Sequence, residues 1–370
     1  DKKYLYKRNN IWWVKVAVPK SQRDKFVYDL RQTTGKSDLN EARSVRNLIV
    51  ESLKSKFSET EKYVPLPSTK FMEKTNIDNP QYFHKVVDCQ YACPAHTNVP
   101  EYIRLIAQKK YTDAYMLNWE SNVFPGILGR VCDRPCEPAC RRGRTHEKSV
   151  AICRLKRVTY DYKDDVEKYI PQSPKVKNGK RIALIGAGPA SLTVARDLLP
   201  LGYECTIFEK DHKAGGLMRT NIPSFRLPAD VLDEEIYRII NMGAELKLNS
   251  YIEKLKPVID EYDSVFIGTG APKGKDLKLK GREISSENIH IGIDWLTSIA
   301  FEHVKKIGKK VIVIGGGNTA MDCCRSALRL GATDVKVTVR SPFSQMKASE
   351  WEIEETMEEG IPILDNTSPK

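Results

Sequence analysis

Six of the nine cysteines lie within one stretch, residues 89–153. Iron–sulfur clusters are held by thiolates at short local spacings together with a more distant thiolate. Zinc also takes four thiolates, and buried inert cysteines are a third interpretation. The stretch is polar and rich in proline and arginine, which is unlike a protein core. We therefore predict a metal centre, with the candidate ligands Cys89, Cys93, Cys132, Cys136, Cys140 and Cys153.

A glycine-rich turn follows the cysteines. Gly186 and Gly188 come directly after the apolar run 182–185, and a helix is expected at about Ser191–Leu199. Small residues let the backbone approach a pyrophosphate, which the N–H groups at a helix start can bind. The next predicted strand ends in Glu209, where a carboxylate would bind a ribose. A solvated acid at the end of a strand is the alternative interpretation.

A second glycine-rich turn, Gly315–Gly317, follows the apolar run 311–314. The next predicted strand, 335–339, ends in Arg340 instead of an acid. A carboxylate there would repel a 2′-phosphate, whereas an arginine can pair with it. The pattern therefore predicts NADPH in preference to NADH, unless Arg340 is only an exposed residue at a strand end.

The elements that must position these residues can be predicted in outline. Helices are expected around the cysteines, at 99–120 and 149–168, and strands alternate with helices after residue 181. Such alternation is typical of parallel α/β architecture. We predict an α/β protein in which a small N-terminal α+β module is followed by a helical iron–sulfur domain and two Rossmann-like domains; the family resemblance given below implies that the second of these is incomplete. The predicted boundaries are 1–62 (module), 63–81 (linker), 82–174 (iron–sulfur), 175–300 (first Rossmann-like) and 301–370 (second Rossmann-like).

Composition supports a cytosolic location and separates the first segment from the rest. The chain has no run of 18 apolar residues, and its charged start lacks the apolar core of a signal peptide. Residues 1–62 hold 15 Lys or Arg and 8 Asp or Glu, which is +7 of the total charge of +12. This asymmetry indicates either a separate partner for the first segment or only a solvated basic face.

The first segment predicts a hairpin, a third strand near 27–32 and a helix that Asp38 caps. It resembles the N-terminal arm-binding domain of phage-type tyrosine recombinases. The matching residues are Tyr4–Arg8, Trp12–Trp13, Val18–Lys20, Arg23–Asp24 and Ser37–Arg43. The resemblance implies possible contact of residues 1–62 with DNA. No Arg…His-x-x-Arg…Tyr arrangement of a recombinase catalytic part follows in the sequence.

Residues 82–370 resemble the glutamate synthase small subunit, the N-terminal half of dihydropyrimidine dehydrogenase and related NADPH-dependent flavin/iron–sulfur oxidoreductases. The motifs that carry the resemblance are Cys89–His96, Gly129–Cys132, Cys136–Cys140, Val150–Cys153, Gly186–Ala190, Gly215–Leu217, Ile222–Pro228 and Gly315–Ala320. The resemblance implies electron transfer from NADPH through FAD to a four-iron–four-sulfur ([4Fe-4S]) cluster. It also implies a partner protein or subunit that accepts the electrons.

The resemblance assigns cofactor-binding residues. For FAD these are Gly186, Gly188, Pro189, Ala190 and Glu209, with Gly215, Gly216, Leu217, Arg226, Thr269 and Gly270 on the flavin side. For NADPH they are Gly315, Gly317, Asn318, Thr319, Arg340 and Lys347. No residue stands out as a catalytic acid, base or nucleophile.

The resemblance also divides the cysteines. Cys93, Cys132 and Cys136 correspond to ligands of one cluster, and Cys153 is the expected substitute for its fourth ligand, which in the family lies on the same helix. Cys89 and Cys140 are half the ligands of a second cluster, whose formation is doubtful because Gln81 and His84 stand in the region of the family's extra cysteine pair.

The chain ends at Lys370, where the family continues and returns to its flavin domain. FAD binding by this chain is therefore an open expectation. Two alternatives follow: a DNA-binding fusion protein with a redox or vestigial module, and an inactive truncated fragment.

Overall fold

The computed structural model describes residues 5–8, 11–17, 29–34, 36–58, 87–145, 148–277 and 281–369. The chain divides into two compact units, residues 1–73 and 74–370. The predicted linker 63–81 lies outside the described residues, as does His84. None of the helices in the described ranges is both long and apolar enough to cross a membrane.

The first unit contains three strands and a helix: β1 (Leu5–Arg8), β2 (Ile11–Ala17), β3 (Asp29–Thr33) and α1 (Leu39–Ser58). The sheet is antiparallel in the order β1-β2-β3, and Tyr6 lies opposite Trp13. α1 packs against β2. The carboxylate of Asp38 accepts the N–H groups of Asn40 (2.8 Å) and Glu41 (3.0 Å), which confirms its predicted capping role.

The second unit begins with a helical segment that carries the six cysteines. Its helices are α2 (Asp88–Ala92), α3 (Val99–Ala107), α4 (Tyr111–Asn122), α5 (Pro125–Val131), α6 (Arg142–Thr145) and α7 (Ile152–Asp161). The helix expected at 99–120 is broken, because Lys109 adopts a left-handed φ of +60°. The N–H of Lys110 then donates to the carbonyl of Leu105 at 2.9 Å and closes α3.

A four-stranded parallel sheet follows, in the order β6-β5-β4-β7. Its elements are β4 (Arg181–Ile185), α8 (Pro189–Leu198), β5 (Glu204–Phe208), α9 (Leu217–Thr220), α10 (Ala229–Asn241), β6 (Glu245–Lys247), α11 (Leu255–Glu261) and β7 (Ser264–Ile267). Leu184 pairs with Ile207 across β4 and β5. Both are fully buried in a core that also contains Tyr115 and Ile127 of the helical segment. The cysteine segment and the first sheet therefore share one hydrophobic core.

The second parallel sheet has the order β10-β9-β8. Its elements are α12 (Gly292–Ala300), β8 (Lys310–Ile314), α13 (Asn318–Arg329), β9 (Asp334–Thr338), α14 (Glu350–Glu358) and β10 (Ile363–Leu364). Met321, Cys324 and Val337 are fully buried in its core. Trp295 and Leu296 of α12 belong to the same core, although they precede the predicted boundary at residue 300.

A buried carboxylate joins the cysteine segment to the first sheet. Glu235 of α10 accepts the N–H groups of Gly126 (2.8 Å) and Ile127 (2.9 Å) at the start of α5. The hydroxyl of Tyr115 donates to the same carboxylate at 3.0 Å. Burial raises the pKa of Glu235 to about 7, although the two N–H groups and the hydroxyl lower it.

This carboxylate should make stability depend on pH. The pKa of Glu235 is higher in the folded protein than in the unfolded chain, where it has the ordinary value of 4.5. The folded protein therefore holds this proton more tightly. The free energy of unfolding should therefore fall as pH rises from about 5 through 7, by at most about 3 kcal/mol from this group. Denaturant unfolding at several pH values should show a smaller decrease in Glu235→Gln.

A control lies on the same helix. Three neighbouring groups outweigh the burial of Glu234: the side chains of Lys163, Tyr160 and Arg238 lower its pKa to about 2. The contribution of Glu234 to stability is lost only in more acidic solution, so Glu234→Gln should keep the decrease between pH 5 and 7. An identical decrease in wild type and Glu235→Gln would assign it to other groups.

Candidate functional site

The first glycine turn connects β4 to α8. Gly186 has a φ of +94°, and its N–H donates to the carbonyl of Phe208 at 2.7 Å. No side chain caps α8, and Pro189 and Ala190 in its first turn are exposed. The first N–H groups of a helix have no partner within the helix, so this end can bind an anion.

The backbone at Gly216 lies against this turn. A Cβ atom at Gly216, whose φ is +52°, would stand 2.9 Å from the Cα of Gly188. The N–H of Gly215 donates to the carbonyl of Ala187 at 2.9 Å, and Leu217 begins α9 directly afterwards. Only glycine combines this φ with this close approach. The predicted residues 215–217 and 186–188 thus form one surface.

Glu209 has partners that the sequence pattern did not reveal. Its side chain is buried, and its two oxygens accept the N–H groups of Ala187 (2.7 Å) and Asp211 (3.0 Å). The carboxylate therefore stabilises the turn itself. Because a carboxylate has about four acceptor positions, two remain for ribose hydroxyls.

Thr269 and Gly270 follow β7 and are exposed. The preceding Gly268 faces Ser191 closely, since a Cβ at Gly268 would meet the Ser191 Oγ at 2.1 Å. That Oγ is buried and has no hydrogen-bond partner within the described ranges. A glycine cradle, unsatisfied helix N–H groups and an unpaired hydroxyl fit a dinucleotide pyrophosphate.

Arg226 makes a different contact. Its guanidinium pairs with Asp322 of α13 at 2.7 Å and with Glu352 of α14 at 2.5 Å. Burial raises the pKa of Asp322 to about 6, and Arg226 opposes that shift. These ion pairs join the loop after α9 to α13 and α14. Arg226 would have to contact the flavin while it keeps them.

The second turn connects β8 to α13. Gly315 has a φ of +146°, and its N–H donates to the carbonyl of Thr338 at 3.0 Å. Gly317 precedes α13, no side chain caps this helix, and Thr319 in its first turn is exposed. The geometry repeats that of the first turn and fits a second dinucleotide.

The segment 347–351 lies directly against this turn in space. The N–H groups of Lys347 and Ala348 both donate to the carbonyl of Gly316 at 2.9 Å. Asn318 accepts the N–H of Ser349 at 2.8 Å and donates to its Oγ at 3.3 Å. The side chains of Lys347 and Arg340 are exposed, as a contact with a phosphate requires.

The six predicted metal-binding thiols stand at helix ends and in turns. Cys89 lies in α2, and Cys93 and Cys132 directly follow α2 and α5. Cys136 and Cys140 lie in the turn after Cys132, and Cys153 lies in the first turn of α7 with its side chain buried. Backbone at such ends is free to wrap a cofactor.

The electrostatic neighbours of Cys136, Cys153 and Cys89 divide the six thiols into two sets. Burial raises the pKa of Cys136 to about 12; Lys156 lowers it, and Cys132 and Cys93 raise it further. Burial raises the pKa of Cys153, and Cys132 adds to this effect. Burial raises the pKa of Cys89 to about 11, with Cys140 as the next cause. One set is thus Cys93, Cys132, Cys136 and Cys153, and the other is Cys89 with Cys140.

Two residues beside the thiols were missed in the sequence. Lys156 is buried, and its charge lowers the pKa of both Cys136 and Cys153. Its spacing of three from Cys153 on one helix face was a usable signal. Tyr102 is buried, and its hydroxyl donates to the carbonyl of Ile152 at 2.9 Å. No sequence pattern indicated Tyr102.

Within the described ranges, no three or more His, Cys, Asp and Glu side chains form a group that could hold a metal ion. A metal ligand must be deprotonated, and burial raises the pKa of Cys89 to about 11 and of Cys136 to about 12, so a bound metal ion would have to offset the cost of charging these two thiols. The donor chemistry fits an iron–sulfur cluster, and ligation by these six cysteines stays a prediction.

Two family models match the chain. Residues 82–168 match "dihydropyrimidine dehydrogenase domain II, 4Fe-4S cluster". Residues 180–370 match "pyridine nucleotide-disulphide oxidoreductase". Neither match reaches residues 1–62, so the recombinase-like segment has no support from them.

Curated relatives match the same region. The chain is 35% identical over 298 residues to the NADPH-Fe(3+) oxidoreductase subunit beta of Geobacter sulfurreducens, covering 78% of this chain and 44% of the relative. It is 31% identical to the glutamate synthase [NADPH] small chain of Azospirillum brasilense, covering 76% and 62%. It is 34% identical to the NAD-dependent dihydropyrimidine dehydrogenase subunit PreT homolog of Salmonella typhi, covering 76% and 68%. The chain thus spans less than half the length of the Geobacter relative.

The contact between Gly216 and Gly188 can be tested by substitution. Gly216→Ala places a methyl group against the first turn, so FAD affinity should fall at least about tenfold. Gly179→Ala is the matched control, because Gly179 also has a positive φ (+76°) but has open space around it. Flavin fluorescence titration measures both. Equal affinities in the two variants would contradict the role of this contact.

Proposed function

Since this chain belongs to the family of pyridine nucleotide-disulphide oxidoreductases, we propose that it transfers electrons from NADPH through FAD to a [4Fe-4S] cluster and on to a partner. The 4Fe-4S match and the oxidoreductase match support the presence of these cofactors in one chain. The relatives include subunits named for NADPH-dependent iron reduction and glutamate synthesis. Their names support a partner subunit, whose identity is open.

One observation carries the proposal. Helices α4, α5 and α7 of the cysteine segment share a hydrophobic core with the sheet that forms the first glycine turn. Ile127 of α5 and Leu184 of β4 belong to that core, and Cys132 directly follows α5. An electron donor at the turn and an acceptor at the thiols would thus be held on one rigid support, as electron transfer requires.

Different residues would bind the two nucleotide cofactors. FAD would be held by the first turn, residues 215–217, Glu209 and the end of β7. NADPH would be held by the second turn, with Arg340 and Lys347 at the 2′-phosphate. When bound, these groups supply hydride acceptance and single-electron transfer, while the chain supplies binding, orientation and electrostatics. No acid–base residue is assigned.

Two further parts of the proposal rest on the sequence. A cytoplasmic location is one of them. The other is DNA contact by the basic segment 1–62, which would act as an accessory. DNA binding that weakens steeply with salt would support this contact, and no binding to duplex DNA would exclude it.

The visible absorption spectrum of anaerobically purified protein, before and after NADPH, tests the proposed function. We expect a broad iron–sulfur band with flavin peaks, and NADPH should bleach both. Cys132→Ala should lose the iron–sulfur band, whereas Cys205→Ala should keep it because Cys205 is buried in β5, outside the cysteine segment. If Cys132→Ala keeps the band, or if Cys205→Ala loses it as well, the assignment of Cys132 is contradicted.

Arg340 should decide between the nicotinamide cofactors. Arg340→Asp should weaken NADPH binding at least about tenfold by repelling the 2′-phosphate, with little change for NADH. Lys310→Asp makes the same charge change at the opposite end of the parallel sheet, so it should leave both affinities unchanged. Calorimetric titration with each nucleotide measures the effect. Equal losses for NADPH and NADH in Arg340→Asp would refute the assignment.

A further inference from the structure

The residues after Cys132 contact the start of α14, which packs beside the second sheet. The Cys132–Arg134 loop turns sharply, because Arg134 has a φ of +54°, and its N–H donates to the Cys132 Sγ at 3.4 Å. The Oγ of Ser349 donates to the Asp133 carboxylate at 3.2 Å. The guanidinium of Arg134 lies over the ring of Trp351, 4.4 Å from its centroid. The loop that holds one thiol thus binds segment 347–351 through two neighbouring side chains.

The same segment is anchored at the second glycine turn. Asn318, a predicted nucleotide contact, binds both the N–H and the Oγ of Ser349. That Oγ is also the donor to Asp133. A continuous set of hydrogen bonds therefore connects Asn318, through Ser349 and Asp133, to the residue beside Cys132.

Arg134 is placed to respond to charge at the thiols. Its backbone N–H donates to the Cys132 Sγ, and its guanidinium lies over the ring of Trp351 in α14, so Arg134 contacts both a thiol and α14. Its Nε is buried and has no hydrogen-bond partner among the residues that the structure describes. Negative charge added at the thiols would attract the guanidinium toward the sulfurs and away from Trp351.

From this geometry we infer that Asp133 and Arg134 are positioning residues that couple the oxidation state of the iron–sulfur centre to nucleotide binding at the second turn. The inference rests on the proposed function. Reduction adds negative charge at the thiols, draws Arg134 off Trp351 and loosens segment 347–351. NADP⁺ then binds more weakly, which favours its release after electrons reach the cluster. Because coupling between binding equilibria is reciprocal, NADP⁺ lowers the reduction potential of the cluster.

The experiment measures NADP⁺ affinity for the oxidised and for the dithionite-reduced protein, together with the cluster potential with and without NADP⁺. We expect about tenfold weaker binding to the reduced protein, which corresponds to a potential lower by about 59 mV for a one-electron couple. Electron paramagnetic resonance during redox titration reports the potential independently of activity.

Ser349→Ala removes the donor to Asp133 without changing the cysteine segment, so the affinity ratio should fall toward one. Arg134→Met should also reduce the ratio, and an iron–sulfur absorption band like that of the wild type in both variants excludes a folding defect. Arg141→Met is the control, because Arg141 also neighbours a predicted ligand, Cys140, but pairs with Asp88. Arg141→Met should keep the wild-type ratio of affinities. Dithionite also reduces the flavin, but any effect of flavin reduction on NADP⁺ affinity is the same in the wild type and in every variant.

The possible failures are distinguishable. If NADP⁺ binds neither the oxidised nor the reduced protein, the proposed function is refuted, and this inference with it. NADP⁺ binding with equal affinity in both states would overturn the coupling alone. A wild-type ratio retained in both Ser349→Ala and Arg134→Met would overturn the role of these residues.

Discussion

The contact between the buried Glu235 carboxylate and the start of α5 is the constraint on which the cysteine segment depends. A carboxylate without partners in this position would be strongly unfavourable, and the N–H groups of Gly126 and Ile127 supply the compensation. The same hydrogen bonds cap the start of α5, whose own N-cap residue, Phe124, makes no side-chain cap hydrogen bond. Since α5 ends immediately before Cys132, the position of that thiol relative to the first sheet follows from a hydrogen bond made on α10.

A second constraint acts between the two sheets. Arg226 pairs with Asp322 and Glu352, and Arg325 pairs with Glu352 and Glu359 from the other side. These ions are largely buried, so their stability depends on every partner being present. The ion pairs connect the loop after α9 to α13 and α14. They hold the loop after α9 against α13, the helix that follows the second glycine turn.

The parts predicted from sequence are those with local causes. Apolar runs before Gly186 and Gly315 indicated the strands β4 and β8, and a glycine after a strand indicated each turn. The capping role of Asp38 was also local. The partners of side chains were not predictable, because they come from distant residues: Arg134 meets Trp351, and Arg226 meets Asp322. The break at Lys109 was missed because no glycine marks its left-handed backbone.

The attachment of segment 347–351 to Gly316 is made by backbone N–H groups alone at residues 347 and 348. Any residue except proline can make such bonds, so the path of the segment does not depend on which side chain stands at position 347. Arg340 is likewise exposed and follows a strand whose register is set by its backbone. Evolution or protein engineering can therefore exchange both basic residues, and with them the coenzyme preference that we propose for them, while the neighbouring cysteine loop keeps its place.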